Sequence, residues 1–135
     1  RKFAGIEHPI SFHGVIDRID RKDGVLRILD YKTGKTEPKE LRPKEITDCL
    51  CDAALSKSFQ LMFYSMLWSE DNQSTLFKAG VISVKNMNAG VLYLTLGTDT
   101  KRTDLYTTDL DVFEKHLEQM VIEIYNPEIP FKEAD

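Results

Sequence analysis

Two stretches of the chain decide how it folds: Gly14-Val15-Ile16-Asp17-Arg18-Ile19-Asp20 and Leu29-Asp30-Tyr31-Lys32-Thr33-Gly34. Between them stands Asp23-Gly24, a pair that favours a two-residue hairpin turn because both turn positions want a positive φ. Residues 3–20 mix apolar and polar positions as a strand does, and residues 25–32 form the return strand. We therefore predict an antiparallel hairpin that turns at Asp23-Gly24.

The turn also fixes which residues face each other across the hairpin. With Asp23-Gly24 as the loop, Asp17 faces Asp30, and Val15 faces Lys32. Side chains alternate along a strand, so Asp17, Asp30 and Lys32 share one face of the predicted sheet. The same face carries three apolar side chains, Val15, Ile19 and Ile28.

Two carboxylates that face each other on an apolar surface repel, and desolvation penalises each charge further. A hard divalent cation compensates for both effects, because Mg²⁺ accepts one or two protein carboxylates and keeps positions for water and phosphate. Lys32 adds a cation within reach of the same phosphate or of the attacking water. The cluster of Asp17, Asp30 and Lys32 thus suits metal-assisted phosphodiester hydrolysis. The alternative is a surface hairpin that carries mixed charges by chance.

The rest of the chain predicts further strands and helices. Asp20 and Arg27 face each other on the second side of the hairpin and are expected to form a surface ion pair. Apolar residues recur at helical spacing over residues 53–71, and residues 79–85 and 91–96 read as strands. A last helix is expected over residues 110–125, with Thr108 or Asp109 as its N-cap. The order strand, strand, strand, helix, strand, strand, helix predicts an α/β or α+β sheet with a helix packed over it.

A polar loop with a basic character is expected over residues 35–48, directly after the strand that carries Asp30 and Lys32. Such a loop either contacts DNA phosphates or is simply solvated. Its four cationic side chains are Lys35, Lys39, Arg42 and Lys44.

Composition narrows the class of protein. The chain has 135 residues, enough for one domain with one hydrophobic core, and 41% of them are apolar and 30% charged. The net charge of −4 disfavours a protein that coats DNA through a broad basic face. It does not disfavour a metal-dependent nuclease, whose active site needs carboxylates.

Cysteine usage and hydropathy exclude other classes. Cys49 and Cys51 stand one residue apart without a second pair, which is a weak metal signal and fits two thiols in a reducing cytosol. No apolar run approaches the roughly 18 residues that a membrane span needs. The chain begins at Arg1 without an initiator methionine, and we expect residues 1–135 to be a single domain excised from a larger protein.

The two stretches resemble the nuclease domain of RecB- and AddB-type proteins, which belong to the PD-(D/E)XK superfamily. That family pattern is G-x-x-D-R-x-D, a short hairpin, and then D-Y-K-T/S-G; residues 14–20 and 30–34 match it. The resemblance implies a restriction-endonuclease-like α/β core in the order αβββαβ, a central mixed sheet flanked by helices. No helix is expected before Phe3, so the first core helix is expected to be lacking.

The resemblance also assigns roles around the metal. It implies that Asp17 and Asp30 are ligands of Mg²⁺, for which Mn²⁺ would substitute, and that the backbone carbonyl of Tyr31 is a third ligand. Lys32 would orient or activate the nucleophilic water. The family core brings a further acidic or histidine residue to the site, for which Glu7 is a candidate although a structural role is open to it as well.

A second mark of the family is a Gln-x-x-x-Tyr pair on the helix after the third strand. Here Gln60 and Tyr64 lie on the helix predicted over residues 53–71, one turn apart on one face. The resemblance implies that they line the cleft and contact the DNA backbone or order the water. The alternative is ordinary packing, with Tyr64 beside Phe63 and Leu67.

Taken together, the resemblance implies a Mg²⁺-dependent DNA nuclease, an exonuclease of DNA repair or recombination. Its expected partners are single-stranded DNA and a helicase domain or subunit, and its expected location is the cytoplasm, at the nucleoid. Two alternatives stay open: a non-catalytic DNA-binding or scaffold domain of the same fold, and a Mg²⁺-dependent nuclease that acts on RNA. The intact Asp17, Asp30 and Lys32 argue against a domain that has lost catalysis.

Overall fold

The computed structural model describes residues 11–71, 76–85, 88, 90–97, 102–126 and 128. Two short 3-10 turns, Pro38–Leu41 and Ala53–Leu55, flank the first helix. The strands and helices, in chain order, are β1 (Arg18–Lys22), β2 (Val25–Lys32), α1 (Asp48–Cys51), α2 (Ser56–Asp71), β3 (Leu76–Ser83), β4 (Val91–Tyr93), β5 (Leu105–Tyr106) and α3 (Thr107–Ile124).

The strands form one mixed sheet of five strands in the order β1-β2-β3-β4, with β5 also paired to β3. β1 and β2 are antiparallel, β2 and β3 are parallel, and β4 and β5 run antiparallel to β3. Parallel neighbours need a crossover connection, and α2 supplies it between β2 and β3. The predicted α/β architecture, a central mixed sheet flanked by helices, is confirmed. None of the described helices is long and apolar enough to cross a membrane.

The hairpin turn and its register agree with the sequence-based prediction. Asp23 and Gly24 have φ of 54° and 80°, the left-handed values that a type I′ turn requires. Ile19 pairs with Ile28, and Asp20 pairs with Arg27. The register places the side chains of Ile28, Asp30 and Lys32 on one face of β2.

The first strand is shorter than predicted. β1 begins at Arg18, and the described residues before it, from residue 11, are not in a strand. The chain instead bends toward α2, where the ring of Phe12 lies edge-on to Phe63 at 5.7 Å between centroids. Val15 therefore has no strand pairing with Lys32, because contacts with the helix outweigh continuation of the ladder. The strand expected over residues 3–10 lies outside the described residues.

The predicted apolar face is buried only on β2. Ile28 is completely buried, whereas Val15 is 77% and Ile19 40% exposed. Among the described residues β1 is an edge strand of the sheet, and Asp17, immediately before it, is exposed. The penalty of desolvation, expected for both carboxylates, therefore falls mainly on Asp30.

The hydrophobic core lies between α2, α3 and one face of the sheet. Burying each of the larger apolar side chains of this core stabilises the fold by roughly 1.5–3 kcal/mol. The packing sets α2 directly over the face of β2 that carries Asp30 and Lys32. The central residues of the hydrophobic core are Leu26, Ile28, Phe77, Ala79 and Val81 from the sheet and Leu61, Met62, Met66, Phe113 and Leu117 from the two helices.

Element boundaries differ from the prediction where capping decides them. α3 begins at Thr107, with Tyr106 rather than Thr108 or Asp109 at the N-cap. Asp109 lies at the third position of the helix, where its carboxylate accepts from the backbone N–H of Tyr106 and pairs with Arg102 at 2.7 Å. β5 and the short α1 were not predicted, since neither carries enough periodic residues to show in the sequence.

Candidate active site

Asp17 and Asp30 approach each other at the end of the hairpin, as the register predicts. The two carboxyl groups lie close enough for each to shift the pKa of the other. The backbone N–H of Tyr31 donates to Asp17 Oδ2 at 3.0 Å, which fixes the exposed carboxylate against β2. Asp30 is only 5% exposed. One buried and one exposed carboxylate therefore share one end of the site.

The two carboxyl groups have opposite shifts in pKa. Burial raises the pKa of Asp30 above its ordinary value, and the neighbouring carboxylate of Asp17 adds to this, while Lys32 opposes it. The Tyr31 backbone N–H lowers the pKa of Asp17, and the neighbouring Asp30 carboxyl contributes in the same direction. As the pH falls, Asp30 is thus protonated before Asp17.

Lys32 connects the carboxylates to α2. Its ammonium nitrogen lies 2.8 Å from Asp30 Oδ2 and donates to Gln60 Oε1 at 2.6 Å. The amide nitrogen of Gln60 donates to the hydroxyl of Tyr64 at 2.9 Å. The structure therefore brings Asp17, Asp30, Lys32, Gln60 and Tyr64 into one continuous set of contacts.

The donor set fits a hard divalent cation. Asp30 Oδ2 is buried without a hydrogen-bond partner, since Lys32 Nζ at 2.8 Å does not meet it with hydrogen-bond geometry. No group of three or more His, Cys, Asp or Glu side chains able to hold a metal occurs among the described residues. Mg²⁺ does not need one, because it typically binds through one or two carboxylates and fills its octahedron with water and phosphate oxygens. Asp17 and Asp30 supply that minimum.

Two further predicted site residues stand apart from this geometry. The backbone carbonyl of Tyr31 as a third metal ligand stays a prediction; the residue lies between Asp30 and Lys32 on β2. Its phenol points away from them and accepts from Arg18 Nη1 at 3.3 Å. Glu7 lies outside the described residues.

The opposite face of the hairpin holds β1 in place behind the carboxylates. Arg27 donates to both carboxylate oxygens of Asp20 at 2.7 Å and to the hydroxyl of Tyr93 at 3.1 Å. The predicted pairing of Asp20 with Arg27 is confirmed. It is not a surface pair, however, because Arg27 is 9% exposed. A bidentate pair of this kind fixes orientation as well as distance.

Gly14 has a physical role that its place in the motif did not reveal. A Cβ added there would lie 2.7 Å from Cε1 of Tyr64 and 3.2 Å from a methyl of Leu67. The absence of a side chain at residue 14 therefore lets the chain before β1 pack against the ring of Tyr64. Only the close approach seen in the structure shows why the motif has glycine here.

We expect Gly14→Ala to destabilise the protein by about 1 kcal/mol, because the added methyl group must displace the ring of Tyr64. The displacement also loosens the hydrogen bond from Gln60. Chemical denaturation measures the first effect. Gly34→Ala is the matched control: a Cβ at Gly34 meets no atom within 4 Å. An equal loss of stability in both variants would contradict the assigned role of Gly14.

Comparison with known proteins gives the family. A sequence model of the PD-(D/E)XK nuclease superfamily matches residues 1–135. The chain belongs to this superfamily, whose members are generally nucleases. No curated protein and no solved structure gives a significant match. The five-stranded mixed sheet agrees with the restriction-endonuclease-like fold of the family.

Proposed function

We propose that this chain is a metal-dependent deoxyribonuclease, an exonuclease of DNA repair or recombination that resembles the RecB and AddB nuclease domains. Asp17 and Asp30 hold Mg²⁺, for which Mn²⁺ substitutes, together with the Tyr31 carbonyl. The observation that carries the proposal is the contact of Lys32 with both Asp30, at 2.8 Å, and Gln60, at 2.6 Å. This places one fixed ammonium group beside a pair of carboxylates.

The reaction is hydrolysis of a phosphodiester. An oxygen of water forms the new bond to phosphorus, the bond from phosphorus to a sugar oxygen breaks, and that sugar oxygen takes up a proton. A cation held by Asp17 and Asp30 would supply a water of lowered pKa and would offset charge on the phosphate. Asp17 and Asp30 give the site its affinity for that cation.

Lys32 acts on the phosphate, because negative charge builds on the non-bridging phosphate oxygens as the bond forms. An ammonium already fixed in place stabilises that charge without reorganising. Gln60 accepts a hydrogen bond from the Lys32 ammonium group and so holds that group in position. Tyr64 accepts from Gln60, so the hydrogen of its own hydroxyl is directed to a further acceptor, for which a DNA phosphate is suited.

Single-stranded DNA, a helicase partner and a cytoplasmic, nucleoid-associated location belong to the same proposal. They rest on the motif resemblance in residues 14–34 and on the Gln60 and Tyr64 pair. The two competing functions, a scaffold domain without catalysis and a nuclease that acts on RNA, are outcomes of the test below.

The test is a cleavage assay with Mg²⁺ on end-labelled single-stranded DNA, duplex DNA and RNA, beside a circular single strand. We expect loss of label from the linear single strand and no cut in the circle, as an exonuclease requires. Cutting of the circle would make the enzyme an endonuclease, and preference for RNA would overturn the choice of substrate. No cleavage of any nucleic acid, with Asp17→Asn indistinguishable from wild type, would favour the scaffold.

Gln60→Leu is expected to lower kcat by about 10- to 100-fold with little change in KM, because Lys32 loses the acceptor that fixes its ammonium group. Steady-state kinetics on the single strand measure this. The control is Gln119→Leu, the same exchange at an exposed position of α3. A pure rise in KM in Gln60→Leu would show instead that Gln60 serves binding rather than positioning.

A further inference from the structure

A cavity of about 530 Å³ lies where β2 and β3 end and the loop after β2 begins. Its volume is within the range, roughly 300–1,000 Å³, of pockets that bind small organic ligands. Apolar side chains of Pro38, Val81 and Leu92 form part of its wall. Lys35, Thr36 and Lys85 form part of its polar lining.

The cavity adjoins the candidate active site. In the parallel pairing of β2 with β3, Asp30 is the partner of Val81, and Lys32 is the partner of Ser83. Register partners in neighbouring strands direct their side chains to the same face of a sheet. Val81 and Ser83, which both line the cavity, therefore lie beside the two functional residues of β2 and on their face.

The lining combines an apolar surface with cationic groups and one unsatisfied hydroxyl. Thr36 Oγ1 is buried without a hydrogen-bond partner. Lys85 is exposed and has no ion pair with another described residue. The side chain of Lys35 is 84% exposed, and its ammonium group pairs with Glu37 at 3.2 Å. A surface pair of this kind is weak and leaves Lys35 able to bind a second anion.

We propose that this cavity binds the base of one unstacked nucleotide beside the phosphate that is cut, an inference that rests on the proposed nuclease function. A base removed from its stack binds between apolar side chains and through hydrogen bonds to its edge. Val81 and Leu92, register partners on one face of the sheet, form one apolar wall, and Pro38 of the loop after β2 belongs to the lining as well. Thr36 and Ser83 are the hydroxyl residues of the lining that serve the edge of the base. Lys35 and Lys85 bind the phosphates on either side. A base inside a duplex cannot enter, so the cavity selects single strands and frayed ends.

The charges favour a nucleotide over an apolar peptide or a second copy of this chain. Two lysines at the border of an apolar cavity match a ligand that carries a flat uncharged ring and an anionic backbone. The chain itself has a net charge of −4, yet this part of its surface presents cations. Phosphate contacts of this kind contribute affinity that falls with salt.

The test is a titration of the wild-type protein, labelled with ¹³C at valine and leucine methyl groups, with dAMP and separately with 2-deoxyribose 5-phosphate. We expect dAMP to shift the methyl signals of Val81 and Leu92 and the sugar phosphate to bind at least about tenfold more weakly. Lys35→Glu with Lys85→Glu weakens dAMP about tenfold or more, since two attractive charges become repulsive. The matched control, Lys22→Glu with Lys115→Glu, changes the net charge equally at exposed positions elsewhere and binds as wild type does.

Equal affinity for dAMP and the sugar phosphate would overturn the inference, because the site would then read phosphate alone. The inference would also be overturned if the methyl signals of Val81 and Leu92 did not shift at millimolar dAMP. The titration needs no turnover and therefore separates the two proposals. A protein that cleaves DNA without binding dAMP here keeps the nuclease function and loses this cavity as a base site. A protein that binds dAMP here but cleaves nothing keeps the site and loses the nuclease function.

Discussion

We expect Asp30→Asn to abolish most of the proposed nuclease activity, with kcat/KM lower by about 10²–10³-fold or more, and to leave the protein folded. Asparagine preserves the shape of the side chain but removes the charge that binds the cation. The cleavage assay on linear single-stranded DNA measures the loss.

Stability should move little in Asp30→Asn, within about 1 kcal/mol, because opposing effects nearly cancel. The exchange relieves the desolvation and the repulsion by Asp17 that together raise the pKa of Asp30. It also takes away the attraction to Lys32, whose ammonium retains Gln60 as an acceptor. A residue needed only for folding would show the reverse pattern, with stability lost and activity reduced in proportion.

The control for this prediction is Asp104→Asn. Asp104 also lies beside a lysine, Lys78, at 3.7 Å, but outside the candidate site. The Asp104→Asn variant should cleave DNA at the wild-type rate and unfold at the wild-type temperature. Comparable activity of Asp30→Asn and Asp104→Asn would contradict the role assigned to Asp30.

Lys32→Met is expected to lower kcat by about 10²–10⁴-fold while Mn²⁺ binding persists or tightens. Methionine replaces the aliphatic stem of lysine without its charge. The loss of a cation 2.8 Å from Asp30 removes a competitor for that carboxylate, so metal binding does not weaken. Single-turnover kinetics and metal titration separate the two effects.

Lys57→Met is a closely matched control. The side chains of Lys32 and Lys57 are each 24% exposed, and Lys57 likewise pairs with a carboxylate, Glu40, at 3.3 Å. Full activity is expected in that variant. If Lys32→Met cleaved at the wild-type rate, the ammonium group would have no part in the chemistry, and the contact with Gln60 would be structural only.

The sequence was sufficient to predict the hairpin and its register. It also named the five side chains that the structure brings into contact, whose roles stay predictions. The reason is local: Asp23-Gly24 imposes one turn geometry, and strand alternation then places Asp30 and Lys32 on one face. Helical spacing likewise placed Gln60 and Tyr64 on one side of α2. That Gln60 meets Lys32 at 2.6 Å depends on how α2 packs on the sheet, for which the sequence offered only the family resemblance.

What the sequence did not predict depends on contacts between distant parts of the chain. The start of β1 at Arg18 follows from the packing of Phe12 and Gly14 on α2, which no local pattern encodes. The start of α3 follows from the pair between Arg102 and Asp109. The cavity beside Lys32 is built by the loop after β2 together with β3, β4 and the segment between them, so its existence could not be read from any single segment.

The most direct test of the central claim, that Asp17 and Asp30 form the metal site of a nuclease, is calorimetric titration of Mn²⁺. Asp30→Asn and Asp104→Asn are titrated beside the wild type. We predict that the wild type and Asp104→Asn bind Mn²⁺ with equal affinity and that Asp30→Asn does not bind. A wild type that fails to bind at millimolar Mn²⁺, or an Asp30→Asn variant that binds as the wild type does, would contradict the account.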